Sequence, residues 1–315
     1  MKDPNTRELL SWSEEVADAQ AGGDAIVALE SNVISNGLPF PQNLKTVEEI
    51  QMEIRQAGAV PAIIGVDHGK LLIGMTQSQV ETFAKQRAKK VSSRDLGPAL
   101  ARAERAATTV SASLLACEAA GLTFFASPGL GGVHRGAQTS FDISSDLVQL
   151  TKSNVVAVTA GCKSILDIGL TLEFLETHCV PCVSYQFEDF PAFFVRSSSH
   201  RSPERIDSLD EISRAIMIHR NLNNRSGFLV TLPTREEDAI DSTLVESAIS
   251  SALSEAAEIG VTGKDVTNFV MRSVNAATDG LSDRANAAVL ISNASFAAEL
   301  AVNYAQTSKT FEGVM

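Results

Sequence analysis

Basic side chains are scarce for a chain of this size, with 26 Lys and Arg against 38 Asp and Glu and a net charge of −12. That balance repels phosphate backbones and anionic lipid headgroups and leaves no basic stripe, so nucleic acid and membrane surfaces are excluded as partners. Any phosphate bound is a small one, held by local groups. Cysteine is sparse too: Cys117, Cys162, Cys179 and Cys182 are too few and too clustered for a disulfide scaffold. Cys179-Val180-Pro181-Cys182 spells C-x-x-C, but it leads into a strand rather than opening a helix, and no second pair completes a zinc site. Buried structural thiols are the expectation. No run approaches eighteen uncharged apolar residues, and the stretch from Met1 to Ala19 lacks the apolar core of a signal peptide, which leads us to expect a soluble cytoplasmic protein. Internal repeats, low-complexity linkers and domain boundaries are also missing, so residues 1–315 read as one domain.

What the chain does hold is apolar surface in short, punctuated runs. Of its 315 residues 44% are hydrophobic, enough for a substantial core in an α/β arrangement. Residues 5–20 read as an amphipathic helix, and Ala25-Ile26-Val27-Ala28-Leu29 as a strand running into Glu30. A carboxylate at the carboxyl end of a strand is where α/β proteins place chemistry. Segment 31–43, punctuated by Gly and Pro, is too apolar for a free linker, and Pro41 suits the start of the next helix. Apolar runs 60–66 and 71–75 flank Asp67-His68-Gly69-Lys70, the pattern of a hairpin with His68 in its turn. Helices are expected over 78–87, 108–119, 166–178 and from the capping-box sequence at Ser208 to His219, with strands over 122–126, 180–187 and 227–233. Three Ala-rich helices, about 241–259, 265–278 and 282–304, close the chain.

Four stretches carry candidate chemistry. Residues 154–169 have the form of a buried strand, a tight Gly turn and a helix start, with Lys163 at the turn. A lysine at a sheet edge beside a helix N-terminus meets desolvation and a positive dipole end, the influences that favour the nucleophilic free amine of Schiff-base chemistry. Its bland alternative is a surface lysine. Ser127-Pro128-Gly129-Leu130-Gly131-Gly132-Val133-His134-Arg135-Gly136 follows a strand, a geometry that lets backbone N–H groups approach phosphate, although it matches neither a Walker A loop nor G-x-G-x-x-G. His134 and Arg135 add donors there. In Phe141-Asp142-Ile143-Ser144-Ser145-Asp146 a helix N-cap accounts for one Asp and one Ser, leaving a second carboxylate suited to Mg²⁺ or Mn²⁺. Lys89–Leu96 suits either a phosphate contact or a solvated loop.

Five stretches in this order resemble the pseudouridine-5′-phosphate glycosidase family, which includes proteins once called indigoidine synthase A. They are Ala28-Leu29-Glu30-Ser31 with Gly37-Leu38-Pro39-Phe40-Pro41-Gln42-Asn43; Lys90-Val91-Ser92-Ser93-Arg94-Asp95-Leu96; Thr108-Thr109-Val110; Gly131-Gly132-Val133-His134-Arg135-Gly136 leading to Phe141-Asp142-Ile143-Ser144; and Lys163-Ser164-Ile165-Leu166-Asp167. The resemblance spans about residues 25–305. It implies an α/β fold, a central mixed sheet with helices on both faces and a helical C-terminal part, and a homotrimer. It makes Lys163 the nucleophile that opens the ribose ring, Glu30 the proton donor and acceptor, and Asp142 the Mn²⁺ ligand. Lys90, the Val110 backbone, Ser144, Ser145 and Asp146 match substrate-binding positions, with Ser127 and His134 added on the phosphate side and Asn286 near the nucleobase.

The resemblance implies cleavage of pseudouridine 5′-phosphate to uracil and ribose 5-phosphate. Departures from the family pattern, at Asn36-Gly37, Ser127-Pro128, Ser145, Leu232-Pro233 and Ile291-Ser292-Asn293, lie mainly outside the sugar-side machinery. The apolar Leu232 and Ile291 motivate an alternative, a C-glycosynthase joining ribose 5-phosphate to an aromatic or polyketide-like aglycone. A third reading, a non-catalytic sugar-phosphate binder, has no need of an imine-forming lysine.

Overall fold

A computed structural model describes residues 4–222, 224–261 and 264–312. Its strands are Leu10–Trp12 (β1), Ile26–Glu30 (β2), Val60–Asp67 (β3), Lys70–Ile73 (β4), Lys89–Val91 (β5), Ala106–Thr108 (β6), Phe124–Ala126 (β7), Val133–His134 (β8), Val156–Thr159 (β9), Leu166–Asp167 (β10), Cys182–Tyr185 (β11), Glu204–Ile206 (β12) and Phe228–Thr231 (β13). The main sheet runs β1-β4-β3-β2-β7-β9-β13-β11-β12, with β6 pairing β3 and β5 pairing β6; β8 and β10 form a separate ribbon. From β3 through β12 the neighbours are parallel, whereas β4 and β6 run antiparallel to β3, so the sheet is mixed as expected.

Continuous apolar runs arise because both faces of the sheet are covered. Along β2, Ile26 and Ala28 join one core cluster while Val27 and Leu29 join the other. The first cluster includes residues of helices Glu14–Gly22, Val110–Ala120 and Ser242–Glu258; the second takes Gln42–Gln56, Gln77–Lys85, Leu209–Asn221 and Leu281–Glu312. The period of two then directs Glu30 to the same side as Ile26 and Ala28, toward helix Val110–Ala120. Phe125, one strand away, also belongs to that first cluster, so Ser127 follows it to the same side as Glu30.

Several local expectations are corrected. The helix expected over 5–20 is interrupted, because Leu10 and Trp12 pair with Leu71 and Ile73 of β4 before Ser13 caps Glu14–Gly22; tertiary pairing overrides a helical pattern at that point. Segment 31–43 contains a π-helical turn, Val33–Gly37, and the buried Asn43 clamps it through Nδ2 to Ile34 O (2.8 Å) and Ala84 O (2.9 Å). The hairpin turn is as expected, with His68 and Gly69 both at positive φ, as a type I′ turn requires. Ser208 is the N-cap residue of Leu209–Asn221 but makes no side-chain cap hydrogen bond. Cys117, Cys162 and Cys182 are buried, whereas Cys179 is exposed just past a helix end.

Among the described residues one helix is apolar on average without being an uninterrupted run of uncharged apolar residues. Leu281–Lys309 is long and apolar enough to cross a membrane by length and composition, with a mean hydropathy of 1.3 and 61% of that window buried inside the fold. Its small Ala side chains raise the hydropathy while packing the helix on Gln42–Gln56 and Leu209–Asn221.

Candidate active site

Three adjacent parallel strands, β2, β7 and β9, bring Glu30, Ser127 and the loop of Lys163 to one edge of the sheet. Glu30 is 8% exposed, and its Oε1 accepts a 2.7 Å hydrogen bond from Ser127 Oγ. Burial pushes this carboxyl above its ordinary range, and the positive charges of Lys163 and Lys90 together with the Ser127 bond pull part of the way back. Lys90 acts on this carboxyl through its charge from β5, where it pairs with Ala107, itself opposite Gly65 next to the β2 partner Ile64.

Lys163 is half-buried in a loop stitched to the glycine loop. Ala160 N donates to Pro128 O (3.1 Å), Leu130 N to Gly161 O (2.9 Å) and Lys163 N to Leu130 O (3.1 Å). Gly161 has φ +72°, and any Cβ there would collide with the Pro191 carbonyl, so this tight turn requires glycine. The helix expected directly behind Lys163 begins later, at Ile168, where Asp167 caps it through Leu170 N. The lysine is thus presented by two zipped loops rather than by a helix end. Arg135 braces the same loop, donating from Nη2 to Ser164 O (3.1 Å) while pairing with both oxygens of Glu246.

Asp146 ties the glycine loop to the start of helix Val110–Ala120: its Oδ1 accepts from Ser111 N (2.9 Å) and its Oδ2 from Gly131 N (3.0 Å). Ser144 caps the short helix Ser145–Leu150 by accepting from Asp146 N, and Ser145 Oγ meets Ser111 Oγ at 3.0 Å. Val110, Ser144, Ser145 and Asp146 therefore converge around Ser111. A Cβ at Gly131 would meet Ser144 Oγ and would lie 2.6 Å from Asp146 Oδ2. We expect Gly131→Ala to lower stability by about 1–3 kcal/mol, checked by the denaturant midpoint; an unchanged midpoint contradicts the close packing.

His134 and Asp142 form a second pair, with Nδ1 and Oδ2 3.8 Å apart. Burial depresses the His134 pKa, Asp142 opposes the shift and Lys163 adds to it, so burial works against an ion pair at this contact. Among the described residues no three His, Cys, Asp or Glu side chains gather as a metal cage. A partly exposed carboxylate beside an imidazole fits a hard cation that keeps most of its water. Asn286 stands on helix Leu281–Glu312, 8% exposed, and its Oδ1 is a buried acceptor with no partner among the described residues.

The sequence profile of the indigoidine synthase A-like proteins matches residues 15–303. The chain belongs to the indigoidine synthase A-like family. It is 53% identical over 291 residues to the pseudouridine-5′-phosphate glycosidase of Serratia proteamaculans, covering 92% of this chain and 94% of that one, and 50% identical to that of Dickeya dadantii over 94% of each. Among solved structures, the prealnumycin C-glycosynthase AlnA in complex with ribulose 5-phosphate superposes with a TM-score of 0.90 at 38% identity, covering 96% of this chain and 99% of its own. An indigoidine synthase A-like protein from Thermotoga maritima superposes at 0.83 and 32% identity, over 89% and 93%.

Within this family fold, a broad cleft borders the Lys163 loop, with neither Glu30 nor Lys163 in its lining. It measures about 930 Å³ and runs between Arg135, Ser164, the Ser197–His200 loop and the first turn of Ser242–Glu258. Leu232 and Ile291 line a different groove, about 560 Å³, with Glu49, Glu53 and Phe296; Asn286 is absent from that lining, as are Glu30 and Lys163. Sequence reasoning overlooked Ser111 and a buried hydroxyl cluster under Glu30, in which Thr108 N donates to Ser31 Oγ (3.0 Å), Thr108 Oγ1 to Ile64 O (2.8 Å) and Ser113 Oγ to Thr108 Oγ1 (3.0 Å). The hydroxyl residues Thr108, Thr109, Ser111 and Ser113, in an otherwise apolar stretch, were the available signal.

Proposed function

We propose that this chain makes and breaks the C-glycosidic bond of pseudouridine 5′-phosphate, with uracil and ribose 5-phosphate on the other side of the equation. The observation that carries this reading is the buried Glu30–Ser127 pair with two lysines, Lys163 and Lys90, acting on the same carboxyl. The named activity of relatives at 50% identity and above supports it.

In the cleavage direction Lys163 Nζ adds to C1′ and the C1′–O4′ bond breaks, O4′ leaving as a hydroxyl that takes its proton from Glu30. Glu30, reprotonated from the ammonium that forms on Lys163, then delivers a proton to the uracil carbon. The nitrogen lone pair becomes a C=N bond as the C1′–C5 electron pair returns to the uracil ring. Water hydrolyses the imine, releasing ribose 5-phosphate and the free lysine. A carboxyl held above its usual range by burial suits both proton transfers. The N-terminal end of Val110–Ala120, with Lys90, Ser144 and Ser145 around it, supplies donors for the phosphate. A ring N–H of the base would satisfy Asn286 Oδ1. Asp142, with water and the His134 ring beside it, would hold a Mn²⁺ ion that supplies positive charge against the substrate. The proposal extends to a homotrimer in the cytoplasm.

The superposition on AlnA favours a second reading, the same chemistry with another aglycone. Leu232 and Ile291 do not argue for it, because the groove they line excludes the site residues. Incubation with ribose 5-phosphate, uracil and Mn²⁺ decides. Pseudouridine 5′-phosphate is the expected product, detected by mass spectrometry, and borohydride traps a pentose-phosphate adduct on Lys163. An adduct without the uracil product transfers the assignment to the second reading; neither adduct nor product in either direction overturns both.

A further inference from the structure

We infer that Asn293 is a positioning residue for the proton-transfer pair, fixing Ser127 from below so that its hydroxyl stays aimed at Glu30. This rests on the assignment of Glu30 as the acid and base of the reaction. Asn293 is 1% exposed in the middle of an Ala-rich helix, a place where a polar amide is poorly suited unless its hydrogen bonds are met. Its Nδ2 donates to Ser127 O at 2.9 Å and lies 3.4 Å from Pro128 O, contacts that span 166 and 165 residues of sequence.

Ser127 is thereby held at three points. Its N–H donates to Val158 O of β9 (3.1 Å), its carbonyl accepts from Asn293, and its hydroxyl donates to Glu30 Oε1 (2.7 Å). A serine hydroxyl is a free rotor with a second acceptor in reach, here Gly129 O at 3.5 Å. Backbone placement decides which acceptor it meets. Pro128 O also receives Ala160 N, so the amide additionally steadies the loop that leads to Lys163. Two helical turns earlier on the same helix, and so on the same face, stands Asn286. One helix thus carries both the orphan acceptor and the brace of the acid–base pair.

Removing the amide is expected to weaken the Ser127–Glu30 bond, and loss of that bond moves the Glu30 titration upward, because the bond favours the ionised form. The test compares wild type, Asn293→Leu, Ser127→Ala and the double variant. In each, kcat and KM are measured against pH, and the Glu30 carboxyl is titrated by infrared difference against Glu30→Gln. We expect Asn293→Leu to lower kcat by about ten- to a hundredfold with KM within about twofold, and to raise the Glu30 midpoint. The double variant is expected to shift no further than Ser127→Ala alone.

A lower Tm with an unmoved Glu30 titration would mean that Asn293 serves stability only, and it overturns the inference. Shifts that add in the double variant overturn it as well. Should Asn293→Leu not fold, Asn293→Ser is read the same way, and an unmoved titration in Ser127→Ala is decisive on its own. The infrared titration needs no turnover. Failure of the proposed reaction would appear as an inactive wild type and stay distinct from failure of this inference.

Discussion

Lys163→Ala is expected to abolish turnover, with kcat falling on the order of 10⁴-fold or more, while ribose 5-phosphate still binds and the fold is unchanged. The backbone dictates the second half of that outcome. The Lys163 loop is zipped by Leu130 N to Gly161 O and Lys163 N to Leu130 O, and by the Ser164 hydroxyl on Ala192 O, none of which uses the Lys163 side chain. The phosphate donors proposed at Val110–Ala120, Lys90 and Ser144 lie on other elements. Arginine at the same position separates two roles that alanine removes together. Lys163→Arg keeps a positive charge near Glu30, and so keeps the influence that favours its ionised form, but it cannot form the imine. Equal and complete losses in both variants, with calorimetric binding of ribose 5-phosphate retained, identify a covalent role. Substantial turnover in Lys163→Arg would reduce the residue to an electrostatic one and remove the Schiff base from the proposal.

What the sequence made legible divides along a physical line. Strand β2 ending in Glu30, the hairpin at His68-Gly69 and the strand-then-glycine loop after Ala126 follow from local pattern, and the structure has them where the pattern put them. The pairing of Leu10–Trp12 with β4 and the π-helical turn at Val33–Gly37 depend on partners far along the chain, which periodicity does not encode. The same holds in the site. Glu30 and Lys163 could be singled out as chemistry at strand ends, yet the Glu30–Ser127 bond spans 97 residues and the Asn293–Ser127 contact 166. Asp146 shows the limit of motif reading from the other side. Matched to a substrate-binding position by resemblance, it spends both carboxylate oxygens on the N–H groups of Ser111 and Gly131, holding in register the two loops that would face the phosphate.

A buried carboxyl kept for chemistry has a consequence for stability that can be measured separately. In the folded chain burial raises the Glu30 pKa above the ordinary value of 4.5, while in the unfolded chain it titrates near that value. Between the two values the folded state holds a proton that the unfolded state has released. Stability therefore falls as pH rises from about 4.5 through the folded pKa, and the full cost remains above it. Glu30→Gln has no such titration. The variant is expected to lose about 10²–10⁴-fold in kcat, the usual contribution of a general acid–base group, and yet to gain in Tm relative to wild type. That gain should be smallest near about pH 4.5 and widen as pH rises through the folded pKa, since the amide carries no charge to desolvate and still accepts the Ser127 hydroxyl through its carbonyl oxygen. Lys163 and Lys90 set the ceiling: each attracts the carboxylate, so removing the negative charge also removes a favourable interaction with them. A Tm difference that narrows or reverses as pH rises would show that the two lysines outweigh burial. Glu30 would then be ionised from the outset, suited to accept the first proton of the reaction and not to donate it.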